Sequence, residues 1–373
     1  MGRSESKIAS VIKATNYLMM EVDYLIIGQG LCGTLLSREL LREGATVRLI
    51  DDHNPNAASM VAGGIINPVT GKRMVRSWMI EELLPFAQKT YDAFGAELGV
   101  SLVKECSILD IHATQEGRNL FMDRMSSDSD YLHETEQIQW SEYFRFNYGV
   151  NEIAPCLLVD MQLMIACWRE KLQAANAIAE EVFDSADITV ASDHVMYKDI
   201  KATHIIFCDG AGGSINPYFD MLPWTADKGE ALIVSIPGLP RNNIYKQGIS
   251  IVPWKDDLFW VGASHDWKYT DMQSSAAYRH SVETQLNYWL KVPYTIIDHL
   301  VARRPANMER KPFAGLHPLF PAVGIFNGMG GKGVSMAPYF AHELAAHLVH
   351  GTPLTPAVDV RRFARILSTK NYG

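Results

Sequence analysis

A glycine-rich turn with the spacing GxGxxG is the residue pattern in this chain that most directly predicts chemistry. Its glycines are Gly28, Gly30 and Gly33, and the acidic residue Asp51 follows them by about 20 positions. In such a turn the first glycine allows a tight bend, the second lets the backbone approach a pyrophosphate, and the third lets helix and strand pack closely. The helix N-terminus faces the phosphates, and the acid accepts a hydrogen bond from a ribose hydroxyl. The pattern therefore predicts a dinucleotide site.

The elements around this turn agree with that prediction. Residues 23–27 form an apolar run of strand length before the glycines, and a helical pattern follows them until Gly44. Residues 46–50 then read as a second strand that ends on Asp51. Together these elements make a complete βαβ unit, which a chance glycine turn would lack.

A second glycine-rich turn occurs near the C-terminus, at residues 328–333. It follows a predicted strand at 323–327 and precedes a predicted helix at 334–350, with Pro338 in the first turn and Gly351 as the stop. A glycine turn that opens a helix presents free N–H groups and the positive end of the helix dipole. We expect this turn to face an anionic part of a ligand.

The remaining segments alternate between helix and strand patterns. Apolar spacing predicts helices at 80–98 and 163–177 and a buried strand at 203–207 that breaks on glycines. Residues 228–267 alternate or are β-branched and aromatic between turns, which predicts antiparallel strands in a different layer from the βαβ unit. The small residues at 57–68 suit a helix start and a close approach of the backbone to a ligand, although an ordinary loop has a similar composition.

Composition restricts the class of protein. The 373 residues suggest two domains or one large one, and the formal charge of −8 argues against a broad nucleic-acid-binding face. Five cysteines without a CxxC pair indicate a reducing compartment and no metal site. No apolar stretch is long enough to span a bilayer. We expect a cytoplasmic protein in which residues 1–20 form a flexible leader without a signal-peptide core.

These pieces, in this order, resemble the D-amino-acid-oxidase-like FAD oxidoreductases, the group of glycine oxidase, sarcosine oxidase and D-amino-acid dehydrogenase. The resemblance covers nearly everything from about Glu21 onward. Three motifs carry it: the βαβ fingerprint that ends at Asp51, the small-residue segment 59–65, and a C-terminal series. That series comprises Arg304-Pro305, Pro312-Phe313-Ala314-Gly315 and residues 327–338.

The resemblance implies an α/β fold in which a Rossmann-like FAD-binding domain of the GR2 type is interleaved with an antiparallel-sheet substrate domain. The FAD-binding domain would comprise residues 21–75, 153–224 and 303–373. The substrate domain would comprise residues 76–152 and 225–302.

The resemblance also implies FAD as the cofactor and assigns its contacts. The adenosine end would meet Asp51 and Asp52, Val182, and the turn Gly210, Ala211 and Gly212. The pyrophosphate and ribityl would meet the first glycine turn and the small-residue segment, namely Gly28, Gly30, Leu31, Cys32, Gly33, Ser59, Ala62, Gly63, Gly64 and Ile65. The flavin pyrimidine edge, which gains negative charge on reduction, would lie near Gly330, Gly331, Lys332, Gly333 and Val334. Covalent attachment needs a Cys or His that residues 306–308 and 59–63 lack, so we expect noncovalent FAD.

Four residues match candidate catalytic or substrate-facing positions of the family. Arg304 matches the arginine that grips a substrate carboxylate, for which a planar, permanently charged guanidinium is suited; neighbouring Arg303 is the alternative. His265 follows a predicted strand end where relatives place a substrate-facing side chain. Ser250 falls where glycine oxidase has a tyrosine, which puts specificity for the smallest amino acids in doubt. Lys332 would favour reduced flavin.

The expected reaction is oxidation of the C–N bond of a small amine or D-amino acid by hydride transfer to flavin N5. Dioxygen or a quinone or other carrier would accept the electrons, no nucleic-acid partner is expected, and a homo-oligomer is compatible with the sequence. Three alternatives stay open. A 2-hydroxy-acid oxidoreductase shares the carboxylate grip and the hydride step. A tRNA wobble-uridine side-chain oxidoreductase is disfavoured by the acidic charge and by the lack of a methyltransferase half. A non-catalytic flavoprotein subunit belongs to a different class.

Overall fold

A computed structural model describes residues 19–71, 73–127 and 130–370 of the chain. The strands, in chain order, are β1 Met20–Ile27, β2 Val47–Asp51, β3 Ile65–Ile66, β4 Val69–Thr70, β5 Val75–Arg76, β6 Val103–Ile111, β7 Leu132–Glu134, β8 Val150–Val159, β9 Ile178–Glu180, β10 Ile188–Val190, β11 Val195–Tyr197, β12 Ile200–Phe207, β13 Asp227–Ser235, β14 Asn243–Gln247, β15 Ile249–Pro253, β16 Leu258–Gly262, β17 Thr295–Arg304, β18 Phe313–Leu316 and β19 Val323–Asn327.

The α-helices are α1 Leu31–Arg42, α2 Ala58–Val61, α3 Ile80–Leu98, α4 Gln115–Ser127, α5 Met161–Ala174, α6 Ala276–Trp289, α7 Gly333–His350 and α8 Ala364–Leu367. Short 3₁₀ turns include Gly210–Ile215 and Gly330–Lys332. Among the described residues no helix combines the length and the apolar character needed to cross a bilayer.

The first sheet has a parallel centre. Strands β9, β2, β1, β12 and β19 run side by side in that order and in the same direction, and β10, β11 and β18 add antiparallel edges. Helices α1, α3, α5 and α7 pack into one apolar core that includes residues of β1, β2 and β12. Because parallel strands end at the same edge, the turns after β1, β2, β12 and β19 are brought together there.

The second sheet is almost entirely antiparallel. Its order is β17, β13, β16, β15, β14, β6, β8 and β3, with β7 beside β8, and only β14 and β6 pair in parallel. The antiparallel strands predicted between residues 228 and 267 are therefore confirmed. The α/β fold with a Rossmann-like sheet and a second sheet is confirmed as well.

Several predicted boundaries agree with the structure and some do not. The helix at 80–98 and the strand at 323–327 have the predicted bounds. The second predicted helix is α5, which ends at Ala174, and Pro338 is the sixth residue of α7, so it lies in the second turn. The predicted leader 1–20 falls outside the described residues up to position 18, but Met20 already belongs to β1 and pairs with Ile200.

The predicted division into cofactor and substrate segments stays a prediction, with two points to adjust. The division between residues 152 and 153 would cut β8, which lies in the second sheet over its whole length. A division after Val159 keeps that strand intact. Strand β3, from the first predicted cofactor segment, pairs with β8 and so also joins the second sheet.

Candidate active site

The first glycine turn has the close packing that the GxGxxG pattern requires. Gly28 has φ +95°, and a Cβ there would lie 2.6 Å from the carbonyl oxygen of Cys208 at the end of the neighbouring strand. A Cβ on Gly33 would overlap the carbonyl oxygen of Gly28. Helix α1 begins after Gly30, which has no side chain that could cap the helix N-terminus. The turn therefore brings helix, strand and strand end into backbone contact.

Asp51 ends β2 beside this turn and is held by several donors. Its Oδ2 accepts from the backbone N–H of Gln29 at 2.7 Å, and its Oδ1 accepts from His53 N–H at 2.9 Å and from Arg169 Nη1 at 2.7 Å. Arg169 is buried and also donates to Glu180, the residue opposite Asp51 on β9. This pairing fixes the carboxylate at the sheet edge in a position where it can accept from a ribose hydroxyl.

Two of the other residues predicted at the adenosine end, Asp52 and Val182, are exposed. Asp52 is exposed in the loop after β2 and accepts from Asn54 N–H. Val182 follows β9 and is 74% exposed. Gly210, Ala211 and Gly212 lie in the 3₁₀ turn after β12, as part of the same carboxyl edge.

The small-residue segment reaches the N-terminus of α1. The Ser59 hydroxyl accepts from the backbone N–H of Leu31 at 2.9 Å, and Cys32 follows in the same helical turn. Burial raises the pKa of the Cys32 thiol to about 12, which disfavours the reactive thiolate. Ala62 follows α2, Gly64 has φ +71° against Val159, and Ile65 begins β3.

Trp260 joins this segment to the second sheet. Its indole N–H donates to the carbonyl of Val61 at 2.9 Å, and a Cβ on Gly63 would lie 3.1 Å from the indole ring. Gly63 thus lets the segment lie flat on β16. The cofactor segment and the candidate substrate sheet are in direct contact here.

A side-chain network links the glycine turns after β12 and β19. Asn327 Nδ2 donates to Asp209 Oδ1 at 2.8 Å and to the carbonyl of Gly210 at 2.9 Å, and its own Oδ1 accepts from Gly328 N–H at 2.7 Å. Asn216 donates to the other Asp209 oxygen at 3.1 Å. Burial raises the pKa of Asp209 to about 6, even though both amides favour its charged form. Asp209 and Asn327 therefore hold the two turns in a fixed relation.

The end of β17 places Arg304 beside the second glycine turn. The residue after it, Pro305, accepts from the backbone N–H of Gly330 at 3.0 Å. Gly330, Gly331 and Lys332 form the 3₁₀ turn that leads into α7, and Gly333 and Val334 begin that helix. Any ligand group at the start of α7 is therefore close to the backbone of Arg304.

Arg304 forms an ion pair that the sequence did not predict. Its Nη1 lies 2.5 Å from Oδ2 of Asp227, directly opposite on β13, and also donates to the carbonyl of Ser264 at 3.0 Å. The carboxylate of Asp227 is only 4% exposed, and Arg304 is 16% exposed. Within the described part of the chain, Nε and Nη2 of Arg304 have no hydrogen-bond acceptor. Nη1 is therefore committed to protein acceptors, and the edge formed by Nε and Nη2 keeps unused donors.

His265 shares the same carboxylate oxygen. Its Nδ1 lies 2.7 Å from Oδ2 of Asp227 and 3.3 Å from Nη1 of Arg304. The imidazole stacks on Trp267 with ring centroids 5.6 Å apart and is 53% exposed. Burial alone would raise the pKa of Asp227, but the hydrogen bond from His265 and the charge of Arg304 lower it below its ordinary value. Asp227 therefore stays ionised between two nitrogen donors.

Arg303 points away from this group. Its Nη2 donates to the Ser214 hydroxyl at 2.8 Å in the turn after β12. Adjacent residues of a strand face opposite sides of the sheet, so Arg303 and Arg304 cannot serve the same site. The structure assigns Arg304 to the side with Asp227 and His265.

Lys332 and Ser250 occupy different surroundings. Lys332 donates from Nζ to the Ser77 hydroxyl at 2.8 Å, and burial lowers its pKa to about 8. Ser250 pairs with Gly262 on one side and with Lys246 on the other, so these three residues share a face of the second sheet with Trp260. The register of β17, β13, β16 and β15 thus places Ser250 on the same face as Trp260 and Arg304, and among the described residues no hydrogen bond joins Ser250 to Arg304.

Sequence reasoning missed the partners of the predicted residues. They are Gln29 and Arg169 at Asp51, and Asp227, Ser264 and Gly229 at Arg304. A Cβ on Gly229 would overlap the guanidinium of Arg304, which therefore lies directly on the backbone of β13. The only sequence signal for this pair was the polar run Asp227-Lys228-Gly229-Glu230 at the start of a predicted strand.

Comparison with known proteins decides the family. The model of the family described as DAO, FAD dependent oxidoreductase, matches residues 23–347. The chain belongs to this family. It is an FAD-dependent oxidoreductase, and its fold agrees with solved members.

The chain is similar to glycine oxidase from Geobacillus kaustophilus, with a TM-score of 0.75 and 19% identity over 92% of this chain and 98% of that one. It is also similar to iminodiacetate oxidase from Chelativorans sp. BNC1, with a TM-score of 0.72 and 20% identity over 88% and 96% of the two chains. For L-proline dehydrogenase from P. horikoshii the TM-score is 0.74, with 14% identity over 93% and 99%. At these identities the likeness shows the fold.

The residues present fit the FAD that the family implies. Gly30, the N-cap residue of α1, has no side chain that could cap the helix. Asp51 stands at the ribose position of the fingerprint, and the Ser59 hydroxyl accepts from the first N–H of α1. A Cβ on Gly331 would meet no atom within 4 Å, so there is open space before α7. These features occur at the carboxyl edge, where dinucleotides bind in parallel sheets.

Proposed function

We propose that this chain oxidises the C–N bond of a small amine or amino acid, with noncovalently bound FAD as the electron acceptor. The observation that carries the proposal is the free edge of Arg304 at the end of β17, next to the glycine turn that leads into α7. FAD, when bound, accepts a hydride from the carbon next to the amine nitrogen. The chain's own residues supply binding, orientation and charge.

Arg304 is the proposed carboxylate-binding residue. Its Nε and Nη2 form the side of the guanidinium that suits a bidentate carboxylate, while Asp227 and the Ser264 carbonyl hold Nη1. Because both partners fix the guanidinium, little side-chain entropy is lost when a substrate binds. Glycine oxidase and iminodiacetate oxidase, two proteins of the same fold, are named for amino-acid-like substrates, which is consistent with this role.

Lys332 is the proposed stabiliser of charge on reduced flavin. It precedes α7, whose N-terminus is the positive end of the helix dipole, and with a pKa of about 8 it is mostly protonated at neutral pH. Noncovalent attachment is supported by the raised pKa of Cys32, the cysteine in the first turn of α1. Dioxygen and a quinone or other carrier are both compatible acceptors.

A second candidate, oxidation of a 2-hydroxy acid, would use the same contact of His265 with Asp227 for a different proton. That reaction must remove the hydroxyl proton, and the contact of His265 with Asp227 is an arrangement that accepts protons. A 2-hydroxy acid would use the same carboxylate contact on Arg304. The two candidates therefore differ in whether a nitrogen or an oxygen atom of the substrate loses a proton.

The deciding experiment is anaerobic bleaching of the flavin by a panel of D-amino acids, N-methyl amino acids, glycine and 2-hydroxy acids. Bleaching by amino compounds supports the proposal, and bleaching by 2-hydroxy acids alone supports the second candidate. A protein that binds FAD but is bleached by no member of the panel is a flavoprotein of another kind, which would contradict both.

A further inference from the structure

We infer that Asp227 and His265 form a proton-accepting dyad that takes the proton from the ammonium group of an α-amino acid held by Arg304. The inference rests on the proposed function and narrows its substrate class to compounds with a carboxylate and an amine on the same carbon. His265 is the catalytic residue of the dyad. Asp227 is a positioning residue.

The contact with Asp227 determines which nitrogen of His265 carries the proton. Asp227 lies 2.7 Å from Nδ1, and an ionised carboxylate only accepts hydrogen bonds. Nδ1 must therefore carry the proton of the neutral imidazole, which leaves the lone pair on Nε2. Within the described residues Nε2 has no hydrogen-bond partner. The half-exposed ring thus presents a free basic nitrogen.

Two charged side chains and one aromatic ring surround the imidazole of His265. The charged side chains, Asp227 from β13 and Arg304 from β17, lie within hydrogen-bond distance of the ring. The carboxylate stabilises the imidazolium that forms when a proton arrives, as in other Asp–His pairs. Trp267 stacks on the ring and restricts its orientation.

The dyad and the carboxylate-binding residue are joined through a single atom. Arg304 Nη1 and His265 Nδ1 both contact Oδ2 of Asp227, so the guanidinium and the imidazole are held side by side. In an α-amino acid the nitrogen is only two bonds from the carboxylate carbon. In the proposed complex the carboxylate binds the free edge of Arg304 and the ammonium group lies beside the imidazole.

The proton balance of the step is simple. The substrate N–H bond breaks, its electron pair stays on the nitrogen, and the proton forms a bond to Nε2 of His265. The neutral amine can then lose the hydride from its α-carbon to FAD, which is the oxidant of the proposed function. A positively charged ammonium cannot supply electron density to that carbon, so the proton must leave first.

The test compares limiting rates of anaerobic flavin reduction from pH 6 to pH 10 in the holoenzyme, with an amino acid that bleaches the wild-type flavin. At saturating substrate we expect the limiting rate of flavin reduction in His265→Gln to be at least about 10²-fold lower than in wild type at pH 7. Its rate should rise about tenfold per pH unit as solvent removes the ammonium proton, and approach the wild-type rate near pH 10. Added imidazole should restore part of the rate at pH 7. Asp227→Asn should shift the profile in the same direction.

His194→Gln is the matched control, because His194 lies 2.8 Å from Asp193 in a surface Asp–His pair remote from Arg304 in sequence. It should leave rate and pH profile unchanged. FAD content and melting temperature identify a variant that fails to fold, and in that case His265→Asn is measured instead. Equal limiting rates and pH profiles for wild type and His265→Gln would overturn the dyad while the proposed function stands. A wild-type flavin that no amino compound bleaches would overturn both.

Discussion

Arg304 and Asp227 face each other across β17 and β13, with Nη1 and Oδ2 2.5 Å apart. This ion pair changes what a substitution of Arg304 is expected to do. The arginine holds a buried carboxylate as well as offering its free edge to a substrate. Loss of the guanidinium therefore affects both binding and stability.

The first prediction concerns Arg304→Met. A substrate carboxylate left unpaired in a closed site costs about 3–5 kcal/mol, which at 1.36 kcal/mol per decade lowers kcat/KM by roughly 10²–10⁴. The variant should also unfold at a lower denaturant concentration, because Asp227 keeps only His265. Adding Asp227→Asn should recover part of the free energy of unfolding but none of the activity. If Arg304→Met kept its kcat/KM on a carboxylate substrate, the guanidinium would be structural and Arg303 would be tested next.

The second prediction is the pH dependence of the same pair. The pKa of Asp227 is lowered from 3.8 in the folded protein, so the unfolded chain binds more protons as the pH falls through this range. The stabilising contribution of the carboxylate is present above about pH 4 and is lost below it. Urea unfolding should therefore show Asp227→Asn less stable than wild type at pH 7 and closer to it at pH 3. A difference that stays constant between the two pH values would contradict the ion pair.

Gly229 supplies the third prediction. A Cβ at this position would overlap the Arg304 guanidinium, whereas a Cβ on Gly117 in α4 would meet only Thr114 at 3.5 Å. Gly229→Ala should move the guanidinium off the backbone, and a displacement of about 1 Å can cost about 10²-fold in rate. Steady-state kinetics should show that loss with FAD content unchanged, and Gly117→Ala should be neutral. Full activity in Gly229→Ala would mean that Arg304 does not act from the observed position.

The fourth prediction concerns Lys332, whose pKa is lowered to about 8 by burial. If its ammonium stabilises reduced flavin by about 1.5–3 kcal/mol, the two-electron potential of Lys332→Met should be more negative by about 30–60 mV at pH 7. The difference should shrink above pH 8, where the wild-type amine is neutral. Spectroelectrochemistry across pH 6–10 measures this effect. Lys311→Met is the control, since Lys311 lies over the Trp78 ring nearby. Equal potentials for wild type and Lys332→Met would show that Lys332 does not interact with the flavin.

The same lowered pKa has a consequence for stability. Between about pH 8 and pH 10.5 the unfolded chain binds more protons at Lys332 than the folded protein does. Wild-type stability should therefore rise with pH across this window, because the cost of burying a charged amine disappears. In the FAD-free protein, Lys332→Met should lack this rise.

The fifth prediction is that denaturation releases all of the flavin as FAD. Residues 306–308 and 59–63 lack an attachment point, and burial of the Cys32 thiol disfavours its thiolate. After acid precipitation the supernatant should carry the whole flavin absorbance and the pellet should be colourless. Flavin retained by the pellet would show a covalent bond.

The βαβ fingerprint of the candidate cofactor site could be located in the sequence because its determinants are largely local. Gly28, Gly33 and Asp51 lie within one βαβ unit, where Gly33 packs on Gly28 and Asp51 accepts from the N–H of Gln29. The contact of Gly28 with Cys208 after β12 is the part that is not local. The helix at 80–98 and the strand at 323–327 followed from apolar periodicity alone. The role predicted for Arg304 came from the resemblance of the C-terminal series to the family.

Only the tertiary structure shows which side chain pairs with Arg304 in the candidate substrate site. Asp227 and Arg304 are 77 residues apart, and their meeting depends on the antiparallel register of β13 and β17. A shift of that register by one residue would turn Arg304 to the opposite face and bring Arg303 into its place. Periodicity predicts that these segments are strands, but a polar residue at a strand end carries no information about its cross-strand partner. The pairing of charges across the sheet is therefore a property of the packed chain.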